Sequence, residues 1–184
     1  MSQLRMIFNA DEHPLPDLKL AAGFIIRPLE DNELDAYNAL RASVGFSQWT
    51  AERLASFRCK VLPDSLFVAV EEQTGILAAS AAAESTDFAE TPELGVLGWV
   101  MAHPRFNGQH LGRAVSIAAM RRLHQAGYRK FSLLTDDFRL AAVSTYLKLG
   151  WQPWLYADDM EERWRALAAQ FNLSFDSLNC LPTI

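Results

Sequence analysis

Two segments hold the residues whose types and spacing suit chemistry. In the first, Val96-Leu97-Gly98-Trp99-Val100-Met101-Ala102 runs through His103-Pro104-Arg105-Phe106 into Asn107-Gly108-Gln109-His110-Leu111-Gly112-Arg113. An apolar run, a polar turn bearing glycine and a helical pattern follow one another. That order builds a socket for phosphate, because backbone N–H groups at a helix start lack partners and the helix dipole favours an anion there. Gly108 and Gly112 let the backbone approach a ligand closely or take positive φ. Arg113 lies in the first helical turn, where a cation opposes the dipole unless an anion sits between them. Arg105 and His110 add positive potential nearby. The same residues also suit an ordinary strand-to-helix turn. A dinucleotide-binding fingerprint is a poor match: the glycine spacing is wrong and the strand follows a meander late in the chain.

The second segment is Thr135-Asp136-Asp137-Phe138-Arg139 followed by Leu140-Ala141-Ala142-Val143-Ser144-Thr145-Tyr146-Leu147-Lys148-Leu149-Gly150-Trp151. It reads as a strand end, a loop and an amphipathic helix whose core stripe is Leu140, Val143 and Leu147. Tyr146 falls on the border of that stripe, about 100° from Leu147. A border tyrosine packs its ring and either ends there or presents its hydroxyl to a cleft.

These segments need elements to position them. Pro14 and Pro16 mark residues 1–22 as a lead-in arm without regular structure, ahead of a single domain at 23–184. The pattern predicts a strand at 24–29 and a helix capped by Asp31 running to about Val44, stopped by Gly45. Thr50 opens a short helix to about Phe57. Strands follow at 65–71 and 76–84 around a turn at 72–75, then a polar loop at 85–94 containing Pro92, and a strand at 94–102. A helix at 110–126 ends at Gly127, with a strand at 129–135, a helix at 139–149 ended by Gly150 and a strand at 151–156. Asp158 or Asp159 caps a last helix to about Gln170, and the tail at 171–184 has no readable pattern. The order β-α-α-β-β-β-α-β-α-β-α predicts an α/β fold with a mixed sheet and helices on both faces.

Composition narrows the function. With 50% hydrophobic and 21% charged residues in 184, the chain has the make-up of a folded globular domain. A net charge of −5 argues against nucleic acid as the main ligand. No segment reaches the ~18 consecutive apolar residues of a membrane span. The start is too short and too acidic for a secretory signal, so the expected location is cytoplasmic. Cys59 and Cys180 lack metal-ligand spacing and read as two free thiols; no metal site is expected.

Taken together, the two segments resemble the GCN5-related N-acetyltransferase superfamily. That family places a strand before a pyrophosphate loop of pattern Arg/Gln-x-x-Gly-x-Gly/Ala and a helix, then a helix ending in Tyr-x-x-x-Gly-aromatic. Here the loop is Asn107-x-x-His110-x-Gly112, preceded by His103-Pro104, and the later helix ends Tyr146-Leu147-Lys148-Leu149-Gly150-Trp151. The motif-bearing likeness covers roughly residues 94–156, and the rest matches in element order, with an extra C-terminal helix. Three positions depart: Asn107 stands for the first Arg or Gln, His110 for the central glycine, and Arg139 for an asparagine common before the tyrosine helix.

The resemblance implies acetyl transfer from acetyl-CoA to a primary amine of a small molecule or a peptide N-terminus. Val100, Met101 and Ala102 would hold the pantetheine arm and the acetyl carbonyl through backbone groups. Asn107, Gly108, Gln109, His110, Leu111, Gly112 and Arg113 would hold the pyrophosphate, with Arg139 a further contact. Tyr146 would protonate the leaving thiolate, a step between groups of ordinary pKa ~10 and ~8.5. An alkyl amine of pKa ~10.4 needs a base or water relay; Glu84, Glu93, Asp136 and His103 are candidates and none is singled out. Phe46, Trp49 and Phe57 read as either an acceptor pocket or core. Trp164, Leu167 and Phe171 on the last helix pack on the domain or on a partner chain, so monomer and homodimer both stand. The alternative function is an acyl-CoA-binding sensor or regulatory module of the same fold without turnover.

Overall fold

The computed structural model describes residues 2–85, 91 and 93–182. In chain order its elements are β1 (Leu4–Asn9), β2 (Phe24–Pro28), α1 (Leu34–Ser43), α2 (Ala51–Arg58), β3 (Val61–Glu71), β4 (Leu77–Glu84), β5 (Leu94–Ala102), α3 (Leu111–Gln125), β6 (Lys130–Thr135), α4 (Leu140–Lys148), β7 (Gln152–Trp154) and α5 (Met160–Gln170). Short 3-10 turns lie at Pro104–Phe106 and Phe175–Leu178. This is the expected α/β class, and the strand expected at 94–102 has those bounds. Most of the loop expected at 85–94, including Pro92, lies outside the described residues. The chain divides into two compact units, Leu15–Arg129 and Met1–Pro14 with Lys130–Ile184.

In the first unit β2, β3, β4 and β5 pair antiparallel in sequence order. Strand β4, Leu-Ala-Ala-Ser-Ala-Ala-Ala-Glu, is buried at every position but its last. A strand buried on both faces must be covered on both, and its small side chains let the covering helices approach closely. Helix α3 packs on β3, β4 and β5, and α1 packs on β4 and β5. Beneath α1 and α2 lies a cluster of Tyr37, Leu40, Trp49, Leu54, Phe57, Val68, Val70 and Met101. Helix α2 starts as its sequence predicts, with Thr50 Oγ1 accepting from the Arg53 N–H at 3.2 Å. Helix α1 does not start at an Asp31 cap. Its N-cap residue is Glu33, while Asp31 pairs with Arg58 at 2.5 Å.

In the second unit β1 lies between β6 and β7 and pairs antiparallel with both. The arm at 1–22 therefore does contain a regular element, contrary to expectation. Pro14 and Pro16 break structure only after β1 ends, and Leu4, Met6 and Phe8 are fully buried. β6 and β7 leave in the same direction on either side of β1, with α4 as the crossover between them. In α5, Trp164 and Leu167 are buried within the chain itself. The helix packs against the 3-10 turn at Phe175–Leu178, while Phe171 is half-exposed. Asp159 occupies the N-cap position but makes no cap hydrogen bond; its carboxylate pairs with Arg163 at 3.1 Å. In the tail, Leu181 bridges to Trp154.

Candidate functional site

The expected phosphate loop is built within the first unit. β5 ends at Ala102, and His103 Nδ1 accepts from the Arg105 N–H at 3.1 Å, which starts the 3-10 turn at Pro104–Phe106. The Asn107 and Gln109 N–H groups close back on the Pro104 and Phe106 carbonyls. Gly108 takes φ +84°, and His110 takes φ +56°, ψ 24° as the N-cap of α3. The family pattern has glycine at that position, and the left-handed backbone here is what glycine adopts at no cost. Histidine reaches it at a cost of about 1–2 kcal/mol. His110 makes no side-chain cap bond, and no acidic residue lies in the first turn of α3. The N–H groups of Leu111, Gly112 and Arg113 are those a helix start leaves without intrahelical partners. A Cβ on Gly112 would lie in ordinary contact with Ala102 Cβ, at 3.5 Å, so the helix start lies beside the end of β5. The positive end of α3 can hold an anion, whereas the half-exposed Arg105 pairs with Glu71 at 4.0 Å. The Arg113 guanidinium instead points at the Asp17 carbonyl, 3.4 Å away.

Upstream, β5 carries an extra residue. Ser80 pairs with Met101 and Ala82 with Gly98, so two steps of β4 face three of β5. Trp99 stands in this bulge at φ +51°. A bulky side chain in that region stores about 1–3 kcal/mol and persists only where its surroundings fix it. Beside the bulge, a Cβ at Gly98 would overlap Glu84 Oε1, so glycine is what admits that carboxylate against β5.

In the second unit, Tyr146 is 5% exposed. The buried residues of α4 are Val143 and Tyr146, while Leu140 is 39% exposed and Leu147 half-buried. The stripe is thus rotated from the expected Leu140, Val143 and Leu147, and Tyr146 lies in the core rather than on its border. Large apolar residues fill both faces of this helix, so periodicity left its phase open. Burial pushes the Tyr146 hydroxyl well above the usual phenol range, and the Arg139 charge opposes this. Gly150 ends the helix at φ +91°, with the Trp151 N–H on the Tyr146 carbonyl at 3.1 Å.

The loop before α4 is tied down by ion pairs. Arg139 Nε donates to Asp136 Oδ2 at 2.9 Å, and Asp136 also accepts from Gln3 at 3.2 Å. Arg163 donates to both oxygens of Asp137, at 2.7 and 3.0 Å. Asp136 is therefore engaged, His103 caps its turn, and Glu93 is exposed. Among the described residues no three His, Cys, Asp or Glu side chains form a metal-binding group, and no helix is long and apolar enough to cross a membrane. Both cysteines are free, as expected.

Residues 30–151 match the model of the acetyltransferase (GNAT) family. The chain belongs to the GNAT family of acetyltransferases. The match takes in the loop at 107–112 and the Tyr146 helix and excludes β1 and α5. The chain is 29% identical over 147 residues to a mycothiol acetyltransferase of Nocardia farcinica, covering 76% of this chain and 48% of that one. It is 30% identical over 95 residues to a mycothiol acetyltransferase of Nocardiopsis dassonvillei, covering 50% and 29%. The chain thus spans about half the length, or less, of these relatives. Among solved structures, a GCN5-related N-acetyltransferase from Sphaerobacter thermophilus superposes with a TM-score of 0.65 at 20% identity, covering 83% of this chain and 49% of that one. A tandem GNAT protein from the clavulanic acid biosynthesis pathway gives 0.64 at 18%, covering 83% and 50%. These structural likenesses carry the fold.

Sequence reasoning missed Arg41. It is 2% exposed, and its guanidinium carbon lies 4.1 Å from the Trp49 ring centroid and 5.0 Å from that of Trp99. Tyr37, one helical turn earlier, is fully buried, and burial pushes its hydroxyl up to about 12. Trp49 and Phe57, open between pocket and core in the sequence, belong to the core.

Proposed function

We propose that this GNAT chain transfers the acetyl group of acetyl-CoA to a primary amine of a small molecule or a peptide N-terminus. The observation that carries the reading is the start of α3. Beyond the end of β5 and the turn at 103–109, a left-handed His110 opens a helix with an acid-free first turn, which fits a pyrophosphate. In this reading Asn107, Gly108, Gln109, His110, Leu111, Gly112 and Arg113 bind the pyrophosphate, and Arg139 adds a contact. Backbone groups of Val100, Met101 and Ala102 hold the pantetheine and the acetyl carbonyl, and an N–H there stabilises the oxyanion.

The amine nitrogen attacks the thioester carbon, a C–N bond forms, the C–S bond breaks, and the amine gives its proton to water, from which the Tyr146 phenolate is reprotonated. Tyr146 gives its hydroxyl proton to the departing thiolate. Its raised pKa keeps that proton in place across the physiological range. The same shift makes the transfer less favourable, and the Arg139 charge partly offsets this.

Calorimetry with acetyl-CoA and thiol release with a panel of polyamines, amino acids, aminoglycosides and peptide N-termini test the proposal. Binding of acetyl-CoA and amine-dependent thiol release are expected; absence of binding at hundreds of micromolar overturns it. The burial of Tyr146 favours a second reading, an acyl-CoA-binding module without turnover. Binding with no thiol release across the panel would support that one.

A further inference from the structure

The strained backbone of Trp99 is fixed by an aromatic box built from α1, α2, the segment between them and β5. The Trp99 ring meets Trp49 at 4.7 Å, Phe57 at 5.7 Å and Phe46 at 6.1 Å, each edge-on. Its carbonyl accepts from Ser80 Oγ at 3.0 Å. At the centre of the box is Arg41, with its guanidinium against both Trp49 and Trp99. Arg41 Nε donates to the Ser47 carbonyl at 2.8 Å, which closes the segment holding Phe46 and Trp49 over the helix. Among the described residues no carboxylate lies within ion-pair distance of Arg41, and the Tyr37 hydroxyl faces both its guanidinium and Ser80. A buried guanidinium without a carboxylate is costly to keep, and here its contacts are ring faces.

Strain at a residue, held by packing that over-determines it, points from the outlier to a role. Trp99 is the residue immediately before Val100 and Met101. We propose that Arg41 is a positioning residue. By fixing the Trp99 ring it holds the β5 bulge, and the bulge sets the Val100 and Met101 backbone groups that receive the acyl carbonyl. This rests on the acetyltransferase reading above.

The test is calorimetry of the full chain with two probes, acetyl-CoA and CoA, which differ only in the acetyl group. For Arg41→Met, the acetyl-CoA dissociation constant is expected to rise about tenfold relative to that of CoA, with CoA binding changed less than about twofold. Arg41→Lys, which keeps a cation, should recover part of the loss. A merely structural role would weaken both probes together; that outcome, or no change in either, overturns the inference. If Arg41→Met does not fold, Arg41→Gln decides, because it keeps a donor toward the Ser47 carbonyl and removes the cation from between the Trp49 and Trp99 rings. It should shift the same ratio in the same direction, and an unchanged ratio overturns the proposal. Failure of the unaltered chain to bind either probe would overturn the acetyltransferase reading itself.

Discussion

Arg27 on β2 grips Glu33 at the start of α1 through two parallel hydrogen bonds, Nη2 to Oε1 at 2.6 Å and Nη1 to Oε2 at 2.8 Å. The Glu30 N–H adds a third bond to the same carboxylate at 2.9 Å. The pair is mostly shielded from water, with side chains 26% and 16% exposed. It fixes where α1 begins, and so where Tyr37 and Arg41 stand.

The Arg27 hydrogen bonds hold the Glu33 carboxyl below the usual carboxylate range, against a smaller opposing effect of burial. A depressed folded pKa gives stability that is full above the unfolded value of about 4.3 and is lost as pH falls through the folded value. Glu33→Gln is therefore expected to cost roughly 1 kcal/mol at pH 7 and progressively less on acidification below pH ~4.5. Urea unfolding of both proteins across that range checks it; a constant difference would contradict the assignment.

His110 and glycine should differ at the loop in a predictable direction. His110→Gly removes the left-handed strain but adds chain entropy to the unfolded state, for a net gain of up to about 1 kcal/mol. Acetyl-CoA binding should be retained or tightened. His110→Val places a β-branched residue at φ +56° and should lower both melting temperature and affinity. Thermal melts and calorimetry on the two variants read the contrast.

Much of this loop was legible in the sequence, because glycine spacing, the strand before it and the helix after it are all local signals. The bulge at Trp99 was not. Its residues form part of an ordinary apolar run, and the register with β4 that creates the extra residue exists only once the strands pair. Arg41 was hidden for the same reason: α1, α2, β5 and the segment carrying Phe46 and Trp49 come together only in the fold. Leu34, Tyr37 and Leu40 or Arg41 stand at helical spacing, but spacing alone does not say that rings from elsewhere enclose the cation. The phase of α4 failed differently, since Leu140, Val143, Tyr146 and Leu147 offer two overlapping stripes and only packing chooses between them.

Tyr146→Phe isolates the hydroxyl. In the proposed mechanism it should lower kcat about 10²-fold and leave acetyl-CoA affinity within about twofold. Because burial keeps the phenol protonated, this group should cause no loss of rate as pH rises from 7 to about 9. Steady-state rates with an active amine, over that pH range, give both answers; an unchanged kcat would remove Tyr146 from the chemistry.

Gly95 tests the packing of α3 on β5. A Cβ there would lie 2.8 Å from Leu123 Cδ2 and 3.0 Å from Tyr128 Cγ. Gly95→Ala should cost about 1–3 kcal/mol through overpacking, seen as a lower denaturation midpoint with an unchanged slope. A midpoint equal to that of the unaltered chain would show that α3 can move away at no cost.

The placement of β1 decides when each unit can form. The unit at 15–129 is one continuous stretch, so all of it has been synthesised before Lys130 is added. The unit that carries Tyr146 joins β1 to β6 and β7, which lie far later in the sequence, with Leu4 opposite Thr135 and Arg5 opposite Trp154. Its middle strand must wait, unpaired and apolar, for more than a hundred residues to be made. Loop closure over that span is slow, and an exposed strand is prone to wrong partners meanwhile. Deletion of β1 would thus remove the strand on which β6 and β7 are assembled, and the damage would fall on the tyrosine helix rather than on the loop at 107–112.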